Sequence, residues 1–290
     1  MKLSVSAYAK VNWCLDVTGV RADGYHELDM LMQSVSLADR MFFQNAEGLT
    51  LTVDRQEIPA DGRNLVLRAA AALRDAAGYE GGAEIALYKQ IPSQAGMGGG
   101  SSDAAATLRA LNLLWNLGLS DTKLEEIGLS VGADVPFCVR GGLQRVQGIG
   151  ERLDTLSPGG TMHLLALQPC RGLSTPQVFR AFREEDRGHV VPDAVESALL
   201  AGDARALGRL MGNALEPAAA RMCPEIRAAK ELLRQNGACG AEMTGSGSVV
   251  FGLFEDETSC QTALQRVRKT YPDTCMLHTV PSGSEIEVIR

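Results

Sequence analysis

The feature that most constrains the fold is a run of glycines between a predicted strand and a strongly patterned helix. Four glycines fall within the five residues 96–100, and two serines follow directly. Residues 83–89 alternate as a strand does, and Ala104, Leu108 and Leu111 recur at helical spacing. Glycines let a backbone approach a ligand closely, and a helix start offers unpaired N–H groups and a positive partial charge. The segment therefore predicts a phosphate-binding site.

Other known phosphate loops fit this segment poorly. A Walker A loop needs Gly-Lys, a dipeptide that the sequence lacks. Gly96 and Gly98 match the start of a dinucleotide fingerprint, but Ser101 holds its third glycine position. The H-R-D and D-F-G motifs of protein kinases are absent as well. A flexible turn with a serine cap is the weaker alternative. Asp103 would repel phosphate, so we expect it to point outward.

Two charged residues stand where predicted strands begin or end. Lys10 interrupts an apolar alternation near the end of the first strand. Asp134 precedes a predicted strand over 135–140, where Pro136 favours an extended residue before it. A carboxylate held at such a point is a candidate general base. Taken singly, a turn-capping aspartate is equally compatible with Asp134, and a solvated lysine is the better explanation of Lys10.

Three further segments have both a functional and a structural interpretation. Asp23 and Gly24 predict a turn, and the Tyr25-His26 pair after it either holds a ring or folds over the core. The Gly/Ser turn at 244–248 either binds an anion or makes a tight hairpin. The segment 175–179 begins a short helix, for which capping and core packing are the favoured roles.

Composition excludes several classes of protein. The 290 residues carry a net charge of −7, which argues against a general nucleic-acid or membrane-surface binder. No apolar run is long enough for a membrane span, and no leader segment is evident. Seven cysteines without a C-x-x-C pair predict free thiols in a reducing cytoplasm. The sequence leaves the oligomeric state open.

The order of predicted elements indicates an α+β fold with two lobes. The first half is rich in predicted strands, and the second mixes strands with helices such as 224–236. The segment 158–160, Pro-Gly-Gly, is the best candidate linker. We therefore predict two domains, an ATP-binding domain over 1–156 and a substrate-side domain over 157–290.

In their order along the chain, these motifs resemble those of the GHMP small-molecule kinases. The matching segments are AKVN at 9–12, PSQAGMGGGSS at 92–102 and TGSG at 244–247. Within that superfamily, RADGYHEL at 21–28 and GADVP at 132–136 are similar to the family of 4-diphosphocytidyl-2-C-methyl-D-erythritol kinases of the non-mevalonate isoprenoid pathway. Each motif is modest alone, but five in register are specific.

The resemblance implies an N-terminal lobe like ribosomal protein S5 domain 2 and a ferredoxin-like C-terminal lobe, with the active site between them. It implies ATP and Mg²⁺ as cofactors and a small cytidine diphosphate alcohol as substrate, phosphorylated on its 2-hydroxyl. The implied ATP-binding residues are Asn64, Pro92, Ser93, Gln94, Ala95, Gly96, Met97, Gly98, Gly99, Gly100, Ser101 and Ser102. The implied substrate-binding residues are Asn12, Tyr25, His26, Thr175, Phe179, Gly245, Ser246 and Gly247.

The resemblance also implies the chemistry. Asp134 takes the proton of the substrate hydroxyl, Lys10 stabilises the reacting groups, and Ser102 is a candidate protein contact for Mg²⁺. Rival hypotheses are another GHMP kinase acting on mevalonate, homoserine or a sugar, a catalytically silent nucleotide-binding protein, and an NAD-binding enzyme.

Two positions depart from the pattern of the family. Gln94 stands where glycine is usual, and it adds strain if that position needs a positive φ. Trp13-Cys14 replaces a more common aliphatic pair. Both departures concern affinity rather than the class of reaction.

Overall fold

The structure is a computed structural model that describes residues 1–22 and 24–289; Asp23 of the predicted turn lies outside the described residues. The strands are β1 (Lys2–Val20), β2 (His26–Ala46), β3 (Leu49–Val53), β4 (Gly82–Tyr88), β5 (Leu143–Gly148), β6 (Arg152–Leu156), β7 (His163–Leu167), β8 (Gly212–Asn213), β9 (Gly240–Met243), β10 (Val250–Phe254), β11 (Cys275–His278) and β12 (Ser284–Ile289). The helices are α1 (Leu65–Ala77), α2 (Gly99–Leu114), α3 (Asp121–Leu129), α4 (Val135–Arg140), α5 (Thr175–Ala181), α6 (Pro192–Ala201), α7 (Ala204–Leu210), α8 (Glu216–Met222), α9 (Glu225–Gln235) and α10 (Glu257–Val267).

The first sheet is built on the two longest strands. β1 and β2 pair antiparallel along most of their length, and the strand order is β12-β1-β2-β4-β3, with β5, β6 and β8 attached at the side. β2 is one continuous strand although its register against β1 shifts. Between the pairs Tyr8–Ala38 and Ala9–Val35, β2 has extra residues, which it absorbs as a bulge rather than ending.

The second sheet has the order β11-β7-β10-β9 and is antiparallel throughout. It meets the first sheet through a shared apolar core, in which Trp13 of β1 contacts Phe251 of β10 edge to face at 5.6 Å. Two sheets with helices packed on them confirm the predicted α+β class. The domain division at residue 156 stays a prediction, and β12, from the far end of the chain, pairs with β1 in the first sheet.

Two local predictions are wrong. Residues 135–140 form α4, not a strand, because Pro136 lies in the first turn of a helix, where its missing N–H costs nothing, and the buried side chains around it favour that turn. The seven thiols are not all free, since Cys170 and Cys223 form a disulfide. These cysteines are 53 residues apart, so only the tertiary fold brings them together. Within the described ranges, no helix has the length and apolarity that a bilayer crossing requires.

The second lobe contains a buried lysine held by two carboxylates. Lys230 of α9 contacts Glu216 of α8 and lies 3.0 Å from Glu242 Oε1 of β9. We call these three residues the Lys230 cluster. Burial and the neighbouring Glu216 raise the pKa of Glu242 to about 8, although Lys230 opposes the rise. The folded protein therefore binds a proton here that the unfolded chain releases at lower pH.

This proton predicts a pH dependence of stability. The free energy of unfolding of the wild type should fall, relative to Glu242→Gln, as the pH rises from about 4.5 to about 8. Urea unfolding over a pH series measures it, with Glu231→Gln, an exposed carboxylate of α9, as the control. A constant difference between wild type and Glu242→Gln across that range would contradict the prediction.

Candidate active site

One cavity of about 970 Å³ opens between the two sheets, within the size range of small-molecule sites. It collects residues from β1, the glycine-rich loop, the start of α2, the start of α5 and the turn after β9. Most of the predicted site residues line it: Lys10, Asn12, Tyr25, His26, Asn64, Pro92, Ser93, Gln94, Ala95, Gly96, Gly98, Gly99, Gly100, Ser101, Asp134, Thr175, Phe179, Gly245 and Ser246.

A bulge in β1 decides which side chains face this cavity. The pairing with β2 shifts between Asn12 and Cys14, so Trp13 is an extra residue on β1. An extra residue reverses the alternation of faces along a strand. Lys10 and Asn12 before the bulge and Leu15 after it therefore all line the cavity, while Trp13 and Cys14 both join the core shared with the second sheet.

Lys10 is held from two sides. Its ammonium donates to Asn12 Oδ1 at 2.8 Å and lies 3.8 Å from Asp134 Oδ2. The Lys10 side chain is 5% exposed, whereas Asp134 is 38% exposed at the start of α4. Lys10 is thus a fixed buried cation, and Asp134 presents its carboxylate to the cavity beside it.

The two glycine turns pack against each other across the sheets. Gly96 has a φ of +78°, and a Cβ there would lie 2.0 Å from the carbonyl oxygen of Thr244. Thr244 donates its hydroxyl proton to the Gly96 carbonyl at 3.2 Å, and Gly245 donates its N–H to Asn12 Oδ1 at 3.0 Å. The Asn12 side chain therefore joins β1, the Lys10 ammonium and the second turn, and Asn12 is 1% exposed.

The loop leads directly into α2. Gly98 caps the helix in the left-handed conformation, with a φ of 70°, and the helix begins at Gly99. A Cβ at Gly98 would lie 3.0 Å from Lys10 Cγ, so the lysine stem runs along the backbone of the loop. The first N–H groups of a helix have no partner within it, and they favour an anion. Here they lie at the wall of the cavity.

Three predicted residues of the site do not line the cavity. Met97 is buried, and its carbonyl accepts the N–H of Lys10 at 3.0 Å. Ser102 is buried, and its hydroxyl donates to the Tyr8 carbonyl at 2.6 Å, which turns it away from any metal in the cavity. Gly247 faces the Met243 side chain: a Cβ at Gly247 would lie 2.7 Å from Met243 Sδ. The structure thus corrects the prediction that Ser102 is a Mg²⁺ contact.

Asp103 was predicted to point outward, and this is wrong. Its carboxylate is buried and lies 2.7 Å from Lys89 Nζ, which also contacts Asp39. Burial raises the pKa of Asp103 and the neighbouring Asp39 adds to the rise, while the Lys89 ammonium opposes it. Burial would lower the pKa of Lys89, but the two carboxylates outweigh it and raise that pKa. The ion pairs explain why an acid is tolerated at this helix start.

Aromatic side chains gather where α5 meets β2. The rings of His26 and Phe179 lie 5.0 Å apart at an angle of 40°, and Phe182 approaches His26 edge to face at 5.8 Å. Tyr25 is 63% exposed at the rim of the cavity. The hydroxyls of Thr175 and Ser246 share a hydrogen bond of 2.8 Å, which ties the start of α5 to the second glycine turn.

Two loop residues have clear structural roles. Asn64 is the N-cap of α1: its Oδ1 accepts the N–H of Val66 at 2.9 Å and its amide donates to the Pro59 carbonyl at 2.7 Å. Gln94 has a φ of 52°, so the position does require the left-handed region. The strain foreseen for a non-glycine residue there is therefore present, since L-residues disfavour that region.

Sequence reasoning missed several residues of the cavity wall. Lys89 and Asp103 line it, as do Ile58, Pro59 and Arg63 before α1. Lys89 could have been predicted as a site residue, because it follows an alternating strand and precedes the glycine-rich loop. Lys10 has a similar position at the end of an apolar run. Asp39 had no such signal, since its partners are 50 residues or more away.

Two family models match the chain in regions that together cover more than half of it. "GHMP kinases N terminal domain" matches residues 64–142, which include the glycine-rich loop and α2. "GHMP kinases C terminal" matches residues 195–273, which include the second glycine turn. The class of protein that this fold and cavity define is thus the GHMP kinases, which are small-molecule kinases that use ATP. The prediction of a kinase rather than an NAD-binding enzyme is confirmed.

Two similar proteins narrow the assignment to one family within the GHMP kinases. The 4-diphosphocytidyl-2-C-methyl-D-erythritol kinase of Pelotomaculum thermopropionicum is 45% identical over 93% of this chain and 95% of its own. The enzyme of that name from Caldanaerobacter subterraneus subsp. tengcongensis is 39% identical over 99% of this chain and 100% of its own. The chain belongs to the family of 4-diphosphocytidyl-2-C-methyl-D-erythritol kinases.

Solved structures agree on the fold. A crystal structure of 4-(cytidine 5'-diphospho)-2C-methyl-D-erythritol kinase superimposes with a TM-score of 0.81 at 36% identity, covering 95% of this chain and 98% of the other. Homoserine kinase from Cytophaga hutchinsonii reaches a TM-score of 0.82 at 20% identity, covering 99% and 97% of the two chains. The second likeness shows only the shared two-lobed fold, which confirms the predicted fold class.

The contact between the glycine turns gives a testable prediction. Gly96→Ala places a methyl group against the Thr244 carbonyl at a positive φ, so it should lower the free energy of unfolding by about 2 kcal/mol or more and weaken ATP binding. Gly160→Ala, whose Cβ meets nothing within 4 Å, is the control. Chemical unfolding and ATP titration of both variants check it; equal behaviour of the two would refute the steric argument.

Proposed function

We propose that the protein transfers the γ-phosphoryl group of ATP to the 2-hydroxyl of 4-diphosphocytidyl-2-C-methyl-D-erythritol, a step in the non-mevalonate isoprenoid pathway. The observation that carries the proposal is one cavity that contains a glycine-rich helix start, the Lys10–Asp134 pair and the His26–Phe179 rings. The names of the relatives, which specify a cytidyl substrate, support the same acceptor.

Each region of the cavity has a part in this reaction. The N–H groups at the start of α2 hold the β- and γ-phosphates, because a helix start favours anions. His26, Phe179 and Tyr25 hold the cytosine ring, and the Thr175–Ser246 pair supports that subsite. Asn64, at the start of α1, lies on the adenine side.

Asp134 orients the acceptor hydroxyl and takes its proton as the oxygen attacks the γ-phosphorus. The bond between that phosphorus and the bridging β,γ-oxygen breaks, and ADP leaves with the electron pair. Lys10, held by Asn12 and Asp134, offsets the negative charge that develops on the transferring group. Phosphoryl transfer asks a protein mainly for such alignment and charge neutralisation.

Mg²⁺ fits this site as a companion of ATP rather than as a resident ion. Among the described residues, the one close group of three cysteine or carboxylate side chains is Cys170, Cys223 and Glu225, which does not line the cavity and whose two cysteines are joined in a disulfide. Mg²⁺ usually keeps several waters and binds through phosphates with one or two protein ligands. The hydroxyl of Ser101 and the carboxylate of Asp134 are the groups that would hold it. When bound, the ion would neutralise part of the negative charge of the phosphates.

The catalytic pair is tested by substitution. Asp134→Asn and Lys10→Ala should each lower kcat by about 10²- to 10⁴-fold, the usual range for a general acid–base group, and leave the fold intact. ADP release is measured with the cytidyl substrate, mevalonate, homoserine and galactose in parallel. Turnover of another alcohol would overturn the proposed acceptor. No turnover with any of them despite ATP binding would favour a silent nucleotide-binding protein, and near-normal turnover of both variants would remove the assigned roles.

The ring subsite is tested separately. Phe179→Ala removes one ring beside His26, so it should raise KM for the cytidyl substrate by roughly tenfold, as expected for the loss of one stacking partner, and leave KM for ATP unchanged. Phe42→Ala, on the outer face of the first sheet, is the control because Phe42 pairs with Tyr88 away from the cavity. An unchanged KM for the cytidyl substrate would count against the stacking role of Phe179.

A further inference from the structure

Three charged side chains lie almost without exposure beside the glycine-rich loop. The Lys89 ammonium donates to Asp103 Oδ2 at 2.7 Å and also to Asp39, and the exposed fractions of Lys89, Asp39 and Asp103 are 7%, 0% and 4%. We call these residues the Lys89 cluster. Asp39 belongs to β2, Lys89 directly follows β4, and Asp103 belongs to α2. Three separate elements therefore meet at one ammonium group.

The cluster joins the two flanks of the loop. Asp39 Oδ1 accepts the N–H of Gln90 at 2.6 Å and that of Ile91 at 2.9 Å, so it fixes the chain as it leaves β4. Asp103 fixes the first turns of α2. Lys89 connects both carboxylates. The loop 92–98 therefore runs between two segments that are held in place, the end of β4 and the start of α2.

The flank after β4 also touches the start of α2 directly. A Cβ at Gly99 would lie 3.0 Å from Ile91 Cγ2 and 3.3 Å from Lys89 Nζ. Gly99 is the first residue of α2, where the backbone N–H groups face the cavity. A displacement of Lys89 or Ile91 is therefore transmitted to the groups that hold phosphate.

Stability alone gives no reason for this cluster. Buried ion pairs lose hydration, and apolar residues of the same volume often stabilise a fold as well or better. The cluster also leaves Asp103 Oδ1 without a hydrogen-bond partner. Directional bonds between fixed charges do, however, set the relative position of the elements that carry them.

We propose that Lys89 is a positioning residue for the nucleotide: through Asp39 and Asp103 it holds both ends of the glycine-rich loop at the separation at which the N–H groups of 98–101 meet the phosphates of ATP. This inference rests on the proposed use of that loop for ATP. Lys89 acts through the backbone that it fixes. Its loss disturbs the ATP subsite and not the subsite for the acceptor.

The experiment compares ATP affinity across matched variants by calorimetry, without acceptor. Lys89→Met should weaken ATP binding by roughly ten- to a hundredfold, the cost of a small misplacement of binding groups, and raise KM for ATP without changing KM for the acceptor. Lys89→Arg, which keeps the charge, should recover most of the affinity. Lys230→Met is the control: it breaks the equally buried Lys230 cluster, so it should lower thermal stability and leave ATP affinity unchanged.

The outcomes separate the inference from the proposed function. ATP affinity of folded Lys89→Met within twofold of wild type would overturn the inference, as would an equal loss in Lys230→Met. If Lys89→Met does not fold, Asp39→Asn, which keeps the shape and loses the carboxylate that Lys89 contacts, should weaken ATP binding in the same direction, and unchanged affinity there would overturn it too. Wild-type protein that binds ATP but phosphorylates no cytidyl alcohol would overturn the proposed function alone.

Discussion

Gly96 lies so close to the carbonyl oxygen of Thr244 that no side chain fits between the two glycine turns. These residues are 148 positions apart, and they belong to segments that flank different sheets. Their contact closes the cavity on one side and brings the glycine-rich loop to the start of α5 and the turn after β9. The contact therefore places residues from both lobes around one cavity.

The amide of Asn12 links that backbone contact to the position of the Lys10 ammonium. Its Oδ1 accepts the Gly245 N–H and the Lys10 ammonium together, so the position of the lysine follows the position of the second turn. The bulge at Trp13 makes this possible, because it puts Trp13 into the core between the sheets and leaves Asn12 on the side of the cavity. The same short segment thus packs the two lobes together and orients the cation.

Local pattern predicted the parts of the site that depend on local physics. The glycine run, the helical spacing after it and the interruption at Lys10 are visible within a few residues. The failures all concern groups whose surroundings come from elsewhere in the chain. Asp103 points inward because it accepts a hydrogen bond from Lys89. The Ser102 hydroxyl donates to the Tyr8 carbonyl of β1. Residues 135–140 are buried almost throughout, so their apolar run has no helical period that would distinguish α4 from a strand. Cys170 and Cys223 meet only through the fold.

The electrostatics explain how an acidic chain suits a polyphosphate. The net charge of −7 gives no long-range attraction for phosphates, and both cavity lysines are already matched by carboxylates: Lys10 by Asp134, and Lys89 by Asp39 and Asp103. Arg63 and Arg180 also line the cavity, and Arg63 is paired with Asp61. Backbone N–H groups at the start of α2 add an attraction for phosphate that acts only at short range and along fixed directions. This part of the site discriminates by geometry rather than by total charge. It favours a compact anion whose oxygens match the spacing of a helix start, and a long polyanion gains little from it. The buried carboxylates that limit the local positive charge are therefore part of the selectivity, because they make binding depend on how well the glycine-rich loop is held in place.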